Sequence, residues 1–146
     1  MFVIEAAQAA DDEVVEAIGR LLPHLSRSAT RPTVADVAEI IDSPATTLLL
    51  ARDGHGGRIV GTLTLAMFRI PTAIRAWIED VIVSEEVEGR GCGAQLTREA
   101  IKRAEVAGAR TVELTSRPSR EAANHLYQKL GFKPRDTNVY RYELVP

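Results

Sequence analysis

The chain has 146 residues, of which 45% are hydrophobic and 26% are charged, and its formal net charge is −2. This length and composition predict a single globular domain over residues 1–146, because a second core would not fit. The nearly balanced charge, without a long basic run, excludes a general nucleic-acid binder. The lone cysteine, Cys92, excludes an internal disulfide and a cysteine-based zinc site. We expect no metal.

Targeting and membrane signals are not evident in the sequence. The first residues lack a basic region, and no apolar run approaches the roughly 20 residues that a membrane helix needs. A single cysteine is also typical of a reducing compartment. We therefore expect a cytoplasmic protein without a membrane partner.

The first half of the chain predicts two helices among antiparallel strands. A short strand over 2–4 precedes a helix that Asp11 or Asp12 caps and Pro23 ends. A second helix is predicted to start at Thr33. Further strands are predicted over 46–51, 59–68 and 76–83. This order is not a repeating βαβ pattern.

The second half predicts two more helices and the remaining strands. A helix over 93–107 has an apolar face and ends at Gly108. A strand over 111–115 follows, and Ser119 is predicted to cap a helix that runs through Leu130. The last strands are predicted from Phe132 onward and over 139–145.

A glycine loop separates the strand over 76–83 from the helix over 93–107. We call residues 88–94 the glycine loop, Glu88-Gly89-Arg90-Gly91-Cys92-Gly93-Ala94. A helix N-terminus leaves backbone N–H groups unpaired and carries a partial positive charge, so it attracts phosphate. Glycines allow positive φ and close approach of the backbone. The loop therefore predicts a site for a phosphate-bearing cofactor.

The glycine loop also matches the dinucleotide fingerprint G-x-G-x-x-G/A, with Glu113 placed to hold a ribose. That fingerprint should follow its strand directly and open a βαβ domain. Here residues 84–88 intervene, and too little chain follows to complete a doubly wound sheet. A phosphate-binding P-loop would need a Gly-Lys-Ser/Thr that is missing. A dinucleotide-binding protein stays an alternative.

Three segments together resemble the GNAT superfamily of acetyl-CoA-dependent N-acetyltransferases. They are Trp-Ile-Glu-Asp-Val-Ile-Val over 77–83, the glycine loop, and Asn-His-Leu-Tyr-Gln-Lys-Leu-Gly-Phe over 124–132. The loop followed by N-x-x-Y-x-x-x-G-F is more specific than either motif alone. The resemblance covers nearly the whole chain, and the first and third segments are similar to those of glucosamine-6-phosphate N-acetyltransferases and of small bacterial members.

The resemblance implies an α/β fold of the α+β type. Its sheet would be mixed, mostly antiparallel, six- to seven-stranded and splayed at its centre, with about four flanking helices. The acetyl-pantetheine arm of acetyl-CoA, the implied cosubstrate, would lie in that opening beside Val81, Ile82 and Val83. Backbone amides of the glycine loop would hold the pyrophosphate: Gly89, Arg90, Gly91, Cys92, Gly93 and Ala94. Glu88 departs from the usual glutamine or arginine, so we expect its side chain to face solvent.

Acetyl transfer to an amine requires a neutral nucleophile, so a base must remove a proton. Glu79 and Asp80 are adjacent and would point to opposite faces of a regular strand, which leaves one of them in the cleft. The resemblance favours Glu79, acting through water. A strand amide, at Val81 or Ile82, would stabilise the charge that develops on the thioester oxygen. That role requires a bulge in the strand.

The resemblance assigns Tyr127 as the general acid that protonates the departing thiolate. Without the motif, its helical stripe would favour a core aromatic. Asn124, one turn earlier, would hydrogen-bond the pantetheine arm.

The acceptor stays open at this stage. We expect a primary amine of a small molecule that attacks acetyl-CoA directly in a ternary complex. The alternatives are a protein lysine or N-terminus as acceptor, and a non-catalytic acyl-CoA-binding regulatory module. A homodimer is a family-level expectation.

Overall fold

The computed structural model describes residues 1–145, and the chain forms two compact units, of which the second begins at Ser116. The first unit contains β1 (Phe2–Ala6), α1 (Asp12–Leu21), α2 (Val34–Asp42), β2 (Thr46–Asp53), β3 (Ile59–Ile70), β4 (Ala73–Val83), α3 (Cys92–Val106) and β5 (Thr111–Glu113). The second unit contains α4 (Glu121–Lys129). Short 3₁₀ turns cover Leu22–His24 and Glu85–Val87.

Side-chain caps fix the start of the first two helices. The Asp11 carboxylate accepts a hydrogen bond from the Val14 amide at 2.9 Å, so Asp11 is the cap of α1. Thr33 and Asp36 form a reciprocal capping box at the start of α2. Each cap satisfies backbone N–H groups that a helix cannot pair internally. The predicted starts of both helices are confirmed.

The sheet has the strand order β1-β2-β3-β4-β5. The first three pairings are antiparallel, and β5 joins β4 in parallel. The prediction of a mixed, mostly antiparallel sheet is confirmed.

The two faces of the sheet bury different helices. On one face, Leu48, Leu50 and Ile82 pack in one cluster with residues of α1 and α2, including Leu21 and Val37. The opposite face lies under α3.

Gly61 on β3 marks the closest approach of α3. A Cβ built at this position would lie 3.0 Å from the Cys92 Sγ and 3.1 Å from the Leu96 Cδ1. Gly61 is paired with Ala51, and side chains alternate along each strand, so Leu49 and Leu63 share this face. Both leucines are fully buried, which gives α3 a continuous apolar platform.

A β-bulge interrupts β4. Thr62 of β3 pairs with Ile82, whereas Thr64 pairs with Glu79, so β4 carries one more residue than β3 in this stretch. Asp80 adopts a positive φ of 48°, which is uncommon for a residue with a side chain. The extra residue and the positive φ change the direction of β4 at Asp80.

The sheet opens between β4 and β5. Pairing with β5 covers only Arg75, Ala76 and Trp77. The remainder of β4, from Ile78 to Val83, has no partner in β5. We call this opening the splay, and it agrees with the predicted splayed centre.

The predicted last strands are wrong. Within residues 1–145 the sheet has five strands rather than six to seven, and no strand occurs from Phe132 onward. The alternating residues of this segment are exposed: Val139 75%, Tyr140 87%, Tyr142 88%, Leu144 88% and Val145 76%. Strand propensity reflects packing against neighbours, and these side chains have little such packing.

Several element boundaries also differ from the prediction by a few residues. β5 ends at Glu113, two residues before the predicted end. The N-cap of α4 is Arg120, not Ser119, and no side chain caps this helix. Serine is a favoured N-cap residue, but α4 begins at Glu121, one residue too late for Ser119 to be the cap.

Candidate functional site

The glycine loop has the backbone that its sequence predicts. Gly89 and Gly91 have φ values of 80° and 86°, in the left-handed region where glycine is favoured. A Cβ at either position would meet no atom within 4 Å. The loop therefore presents open backbone rather than a surface covered by neighbouring side chains.

The N-terminus of α3 follows directly. The helix begins at Cys92, one residue before the predicted start, and its N-cap Gly91 has no side chain to accept a hydrogen bond. The first helical hydrogen bond runs from the Gln95 amide to the Gly91 carbonyl at 3.0 Å. The amides of Cys92, Gly93 and Ala94 thus precede the helical ladder, and such amides attract anions.

The charged side chains of the glycine loop do not cover these amides. Glu88 is exposed, in agreement with the prediction that its side chain faces solvent. The Arg90 guanidinium pairs with Asp53, a residue of β2. The sequence reasoning missed this partner, because the pair joins positions far apart in the chain.

Cys92 is a buried, neutral thiol. Its exposed fraction is 2%, and burial raises the pKa of the thiol to about 11, with a smaller contribution from the negative charge of Asp53. A thiol in this state is a poor nucleophile at neutral pH. Its contribution to the loop therefore comes from its backbone.

Glu79 and Trp77 lie on the face of β4 that also carries Ile82. Glu79 is the register partner of Thr64, and Trp77 is the partner of Ala66. Directly paired side chains share a face, so both residues are opposite the α3 side. Glu79 and Asp80 are both exposed. The prediction that these two carboxylates point to opposite faces assumed a regular strand. The bulge begins after Glu79, so regular alternation does not extend to Asp80.

An amide donor at Val81 or Ile82 requires a bulge in β4, and the structure has a bulge at this position. Asp80 and Val81 both lie opposite Leu63. Beyond Trp77 the strand has no β5 partner, so the side of β4 that faces the splay is not used for sheet pairing. The bulge that an amide donor at Val81 or Ile82 requires is therefore present, on a stretch of β4 that pairs with β3 alone.

A third carboxylate, that of Glu113, lies next to Trp77. The two residues are register partners across β4 and β5. The Glu113 Oε2 lies 3.4 Å from the Arg75 Nε, is buried, and has no hydrogen bond from the described residues. Sequence reasoning considered Glu113 only for a ribose and missed this position. The available sequence signal was the alternation of Arg75, Trp77 and Glu79 along β4, which places these three side chains on one face of the sheet.

The remaining candidates lie in the second unit. Tyr127 on α4 is 7% exposed and packs edge-to-face on Phe132, with ring centroids 5.8 Å apart. Burial raises the pKa of its phenol, and the charge of Arg120 partly opposes the shift. The Asn124 side-chain amide donates to the Arg117 carbonyl at 2.9 Å, which fixes the turn before α4.

Residues 1–145 contain no group of three or more His, Cys, Asp or Glu side chains arranged to hold a metal ion. In the same part of the chain, every helix is too short or too polar to cross a bilayer.

Comparison with known proteins places the fold. The model of the Acetyltransferase (GNAT) family matches residues 15–132. No curated protein matches the chain. Among solved structures, a transcriptional regulator from Bacillus halodurans is 27% identical, with a TM-score of 0.80 over 98% of this chain and 100% of that one.

Two further structures are similar at lower identity. An acetyltransferase from Trypanosoma brucei is 23% identical, with a TM-score of 0.78 over 99% of this chain and 100% of that one. An aminoglycoside acetyltransferase from an uncultured soil metagenomic sample, solved with sisomicin, is 17% identical, with a TM-score of 0.83 over 99% and 97%. At these identities the likeness concerns the fold.

The state of Cys92 predicts its reactivity. At pH 8 the folded thiol should react with a disulfide reagent about 100-fold more slowly than in urea, because its pKa of about 11 replaces the ordinary 9.0. Since the unfolded thiol ionises first, this group should also lower the free energy of unfolding as the pH rises from about 9 to 11. Labelling rates measured in both states test the assignment, and equal rates would contradict it.

Proposed function

Since the chain belongs to the Acetyltransferase (GNAT) family, we propose that it transfers the acetyl group of acetyl-CoA to a primary amine of a small molecule. The amine attacks directly, in a ternary complex. The observation that carries this proposal is the continuous unit of bulged β4, glycine loop and α3. It joins an open strand edge to a helix N-terminus within one stretch of chain.

The residues present fit a phosphate-bearing cosubstrate. The positions beside Gly89 and Gly91 are open, and the amides of Cys92, Gly93 and Ala94 have no helical partner. The amides of Gly89, Gly91, Cys92, Gly93 and Ala94 would hold the pyrophosphate by hydrogen bonds and by the charge of the helix end. The predicted Arg90 amide is not among these donors, because it already donates to the Val87 carbonyl at 3.2 Å. When bound, acetyl-CoA supplies an activated acyl thioester.

Glu79 is proposed as the base. An alkylammonium of ordinary pKa ~10.4 is only about 0.04% neutral at pH 7, which corresponds to roughly 4.6 kcal/mol. The exposed Glu79 carboxylate lies on the Trp77 face of β4, beside the splay, and would accept the amine proton through a water. Asp80 is exposed at the next position and is the second candidate.

Two further groups complete the proposed chemistry. The Val81 or Ile82 amide would donate a hydrogen bond to the thioester oxygen, and the bulge supports this role. Tyr127 is proposed as the general acid because of its place in the Asn-x-x-Tyr-x-x-x-Gly-Phe motif. The proposal rests on the motif and not on the pKa of the phenol, because burial raises that pKa and makes the phenol a weaker acid. Asn124 is proposed to contact the pantetheine arm through its amide oxygen.

A small-molecule acceptor is the preferred class. Exposed carboxylates at Glu79 and Asp80 favour a cationic amine. The fold is also shared with an acetyltransferase whose solved complex holds an aminoglycoside. A protein lysine or N-terminus, a non-catalytic acyl-CoA-binding role and a dinucleotide-binding role stay as alternatives. A cytoplasmic location and a homodimer stay predictions.

The first test is a thermal melt with acetyl-CoA, with NADH and without ligand. Acetyl-CoA at 100 times its dissociation constant should stabilise the protein by about 2.7 kcal/mol, and NADH should have no effect. Stabilisation by NADH alone would contradict the proposal. Stabilisation by acetyl-CoA, without coenzyme A release in the presence of any amine, would favour a non-catalytic module.

Replacement of the proposed base should change the pH dependence of turnover. In Glu79→Gln, the rate at pH 7 should fall about 100-fold and recover as the pH approaches that at which the free amine loses its proton. Asp80→Asn is the matched control, because it removes the adjacent carboxylate. Rate–pH profiles of both variants decide between them, and a larger effect of Asp80→Asn would transfer the role to Asp80.

Removal of the Tyr127 hydroxyl should reduce turnover more than cosubstrate binding. Tyr127→Phe should lower kcat about 100-fold and leave the Kd for acetyl-CoA nearly unchanged. Tyr142→Phe makes the same change at a residue that is 88% exposed and serves as the control. An unchanged kcat in Tyr127→Phe would show that Tyr127 is not the general acid.

A further inference from the structure

The side chain of Arg90 is bound to the sheet by a paired hydrogen bond. Its Nη1 donates to the Asp53 Oδ2 at 3.1 Å, and its Nη2 donates to the Asp53 Oδ1 at 3.0 Å. A guanidinium and a carboxylate joined by two parallel bonds fix direction as well as distance. The contact therefore restrains the orientation of Arg90, beyond bringing two charges together.

A second contact holds the same guanidinium. The Arg90 Cζ lies 4.9 Å from the centroid of the Phe2 ring, within the range of a cation–π interaction. Phe2 is only 6% exposed and is the register partner of Asp53 across β1 and β2. Both partners of Arg90 thus belong to one register pair, at the end of the β1–β2 ladder.

Arg90 is the residue between the two positive-φ glycines of the loop. Glycine has more backbone freedom than any other residue type, so ordering Gly89 and Gly91 on ligand binding costs conformational entropy. An anchor between them reduces the number of conformations that the loop samples before binding. Preorganisation of this kind raises affinity without a new contact to the ligand.

We propose that Arg90 is a positioning residue, whose pair with Asp53 and contact with Phe2 hold the glycine loop in the conformation that binds phosphate. Backbone amides of the loop, rather than the guanidinium, contact the phosphate. This inference rests on the proposed use of acetyl-CoA.

The charge state of the pair agrees with this role. The hydrogen bonds from Arg90 hold the pKa of the Asp53 carboxyl below its usual range, so the pair is charged at neutral pH. A carboxylate bonded to both guanidinium nitrogens would compete with phosphate for the same donors. An arginine that bound phosphate directly would thus be weakened by Asp53, whereas a positioning arginine depends on it.

The sign of the effect of Asp53→Asn separates these two roles. If Arg90 positions the loop, Asp53→Asn should raise the Kd for acetyl-CoA about fivefold, and Arg90→Lys should do the same because lysine cannot form the paired bond. If Arg90 binds phosphate directly, Asp53→Asn should lower the Kd, since a competing negative charge is gone. Isothermal titration calorimetry measures all variants. A lower Kd, or one unchanged within about twofold, would overturn the inference.

The matched control is Glu86→Gln. The Glu86 carboxylate forms a surface ion pair with Arg58 at 3.4 Å, and its removal makes the same change in net charge as Asp53→Asn without touching Arg90. Its Kd for acetyl-CoA should stay within about twofold of the unmodified protein. In Asp53→Asn, the KM for acetyl-CoA should rise with the Kd while kcat is retained, which general loss of structure would not produce.

A second measurement separates failure of this inference from failure of the proposed function. If the unmodified protein does not bind acetyl-CoA, the proposed function fails. Hydrogen exchange still tests the positioning role through the Arg90 and Gln95 amides, which bond to the Val87 and Gly91 carbonyls. Asp53→Asn should speed their exchange about fivefold relative to Glu86→Gln. Equal exchange rates in the two variants would show that the pair does not order the loop.

Discussion

The β-bulge in β4 is the constraint on which the arrangement of the first unit depends. Before it, β4 pairs with both neighbours, and Ala76 and Ile78 are buried on the α3 side. After it, β4 pairs with β3 alone and leads through a short 3₁₀ turn into the glycine loop and α3. A strand without the extra residue would keep its alternation through Asp80 and would lose the local distortion that separates its two halves. The positive φ of Asp80 is a cost of about 1–3 kcal/mol that the surrounding pairing must offset.

Packing explains how this irregular strand is supported. The sheet face under α3 carries Leu49, Leu63 and Ile78, and Gly61 allows the helix to approach the strands closely. The buried face of α3 presents small residues along most of its length, including Ala100 and Ala104, both fully buried. A helix held this firmly gives its N-terminal amides a defined position. Anion binding at a helix end gains from such rigidity, because little ordering is left to occur when a ligand arrives.

Much of the fold could be predicted from local sequence signals. Asp11 and Thr33 marked helix starts because capping acts between residues three positions apart. The glycine loop was also readable, because positive φ at Gly89 and Gly91 is a property of the residue type. The errors concern non-local terms. Val139 to Val145 have an alternating strand pattern, but a pattern cannot supply a partner strand. Likewise, the Arg90–Asp53 pair and the Arg75–Glu113 contact join residues that are far apart in the sequence. No local pattern in the sequence indicates which residues form these pairs.

The position of Trp77 has a practical consequence. It is the only tryptophan of the chain, and it occupies the last β4 position that pairs with β5, where the splay begins. Indole emission responds to polarity and to quenching groups within a few ångströms. Glu113 is the register partner of Trp77, and Glu79 lies two residues further along β4. The intrinsic fluorescence of the unlabelled protein is therefore dominated by a single chromophore at the mouth of the splay. Trp77 can therefore report, without a label, on changes at the position where β4 and β5 separate.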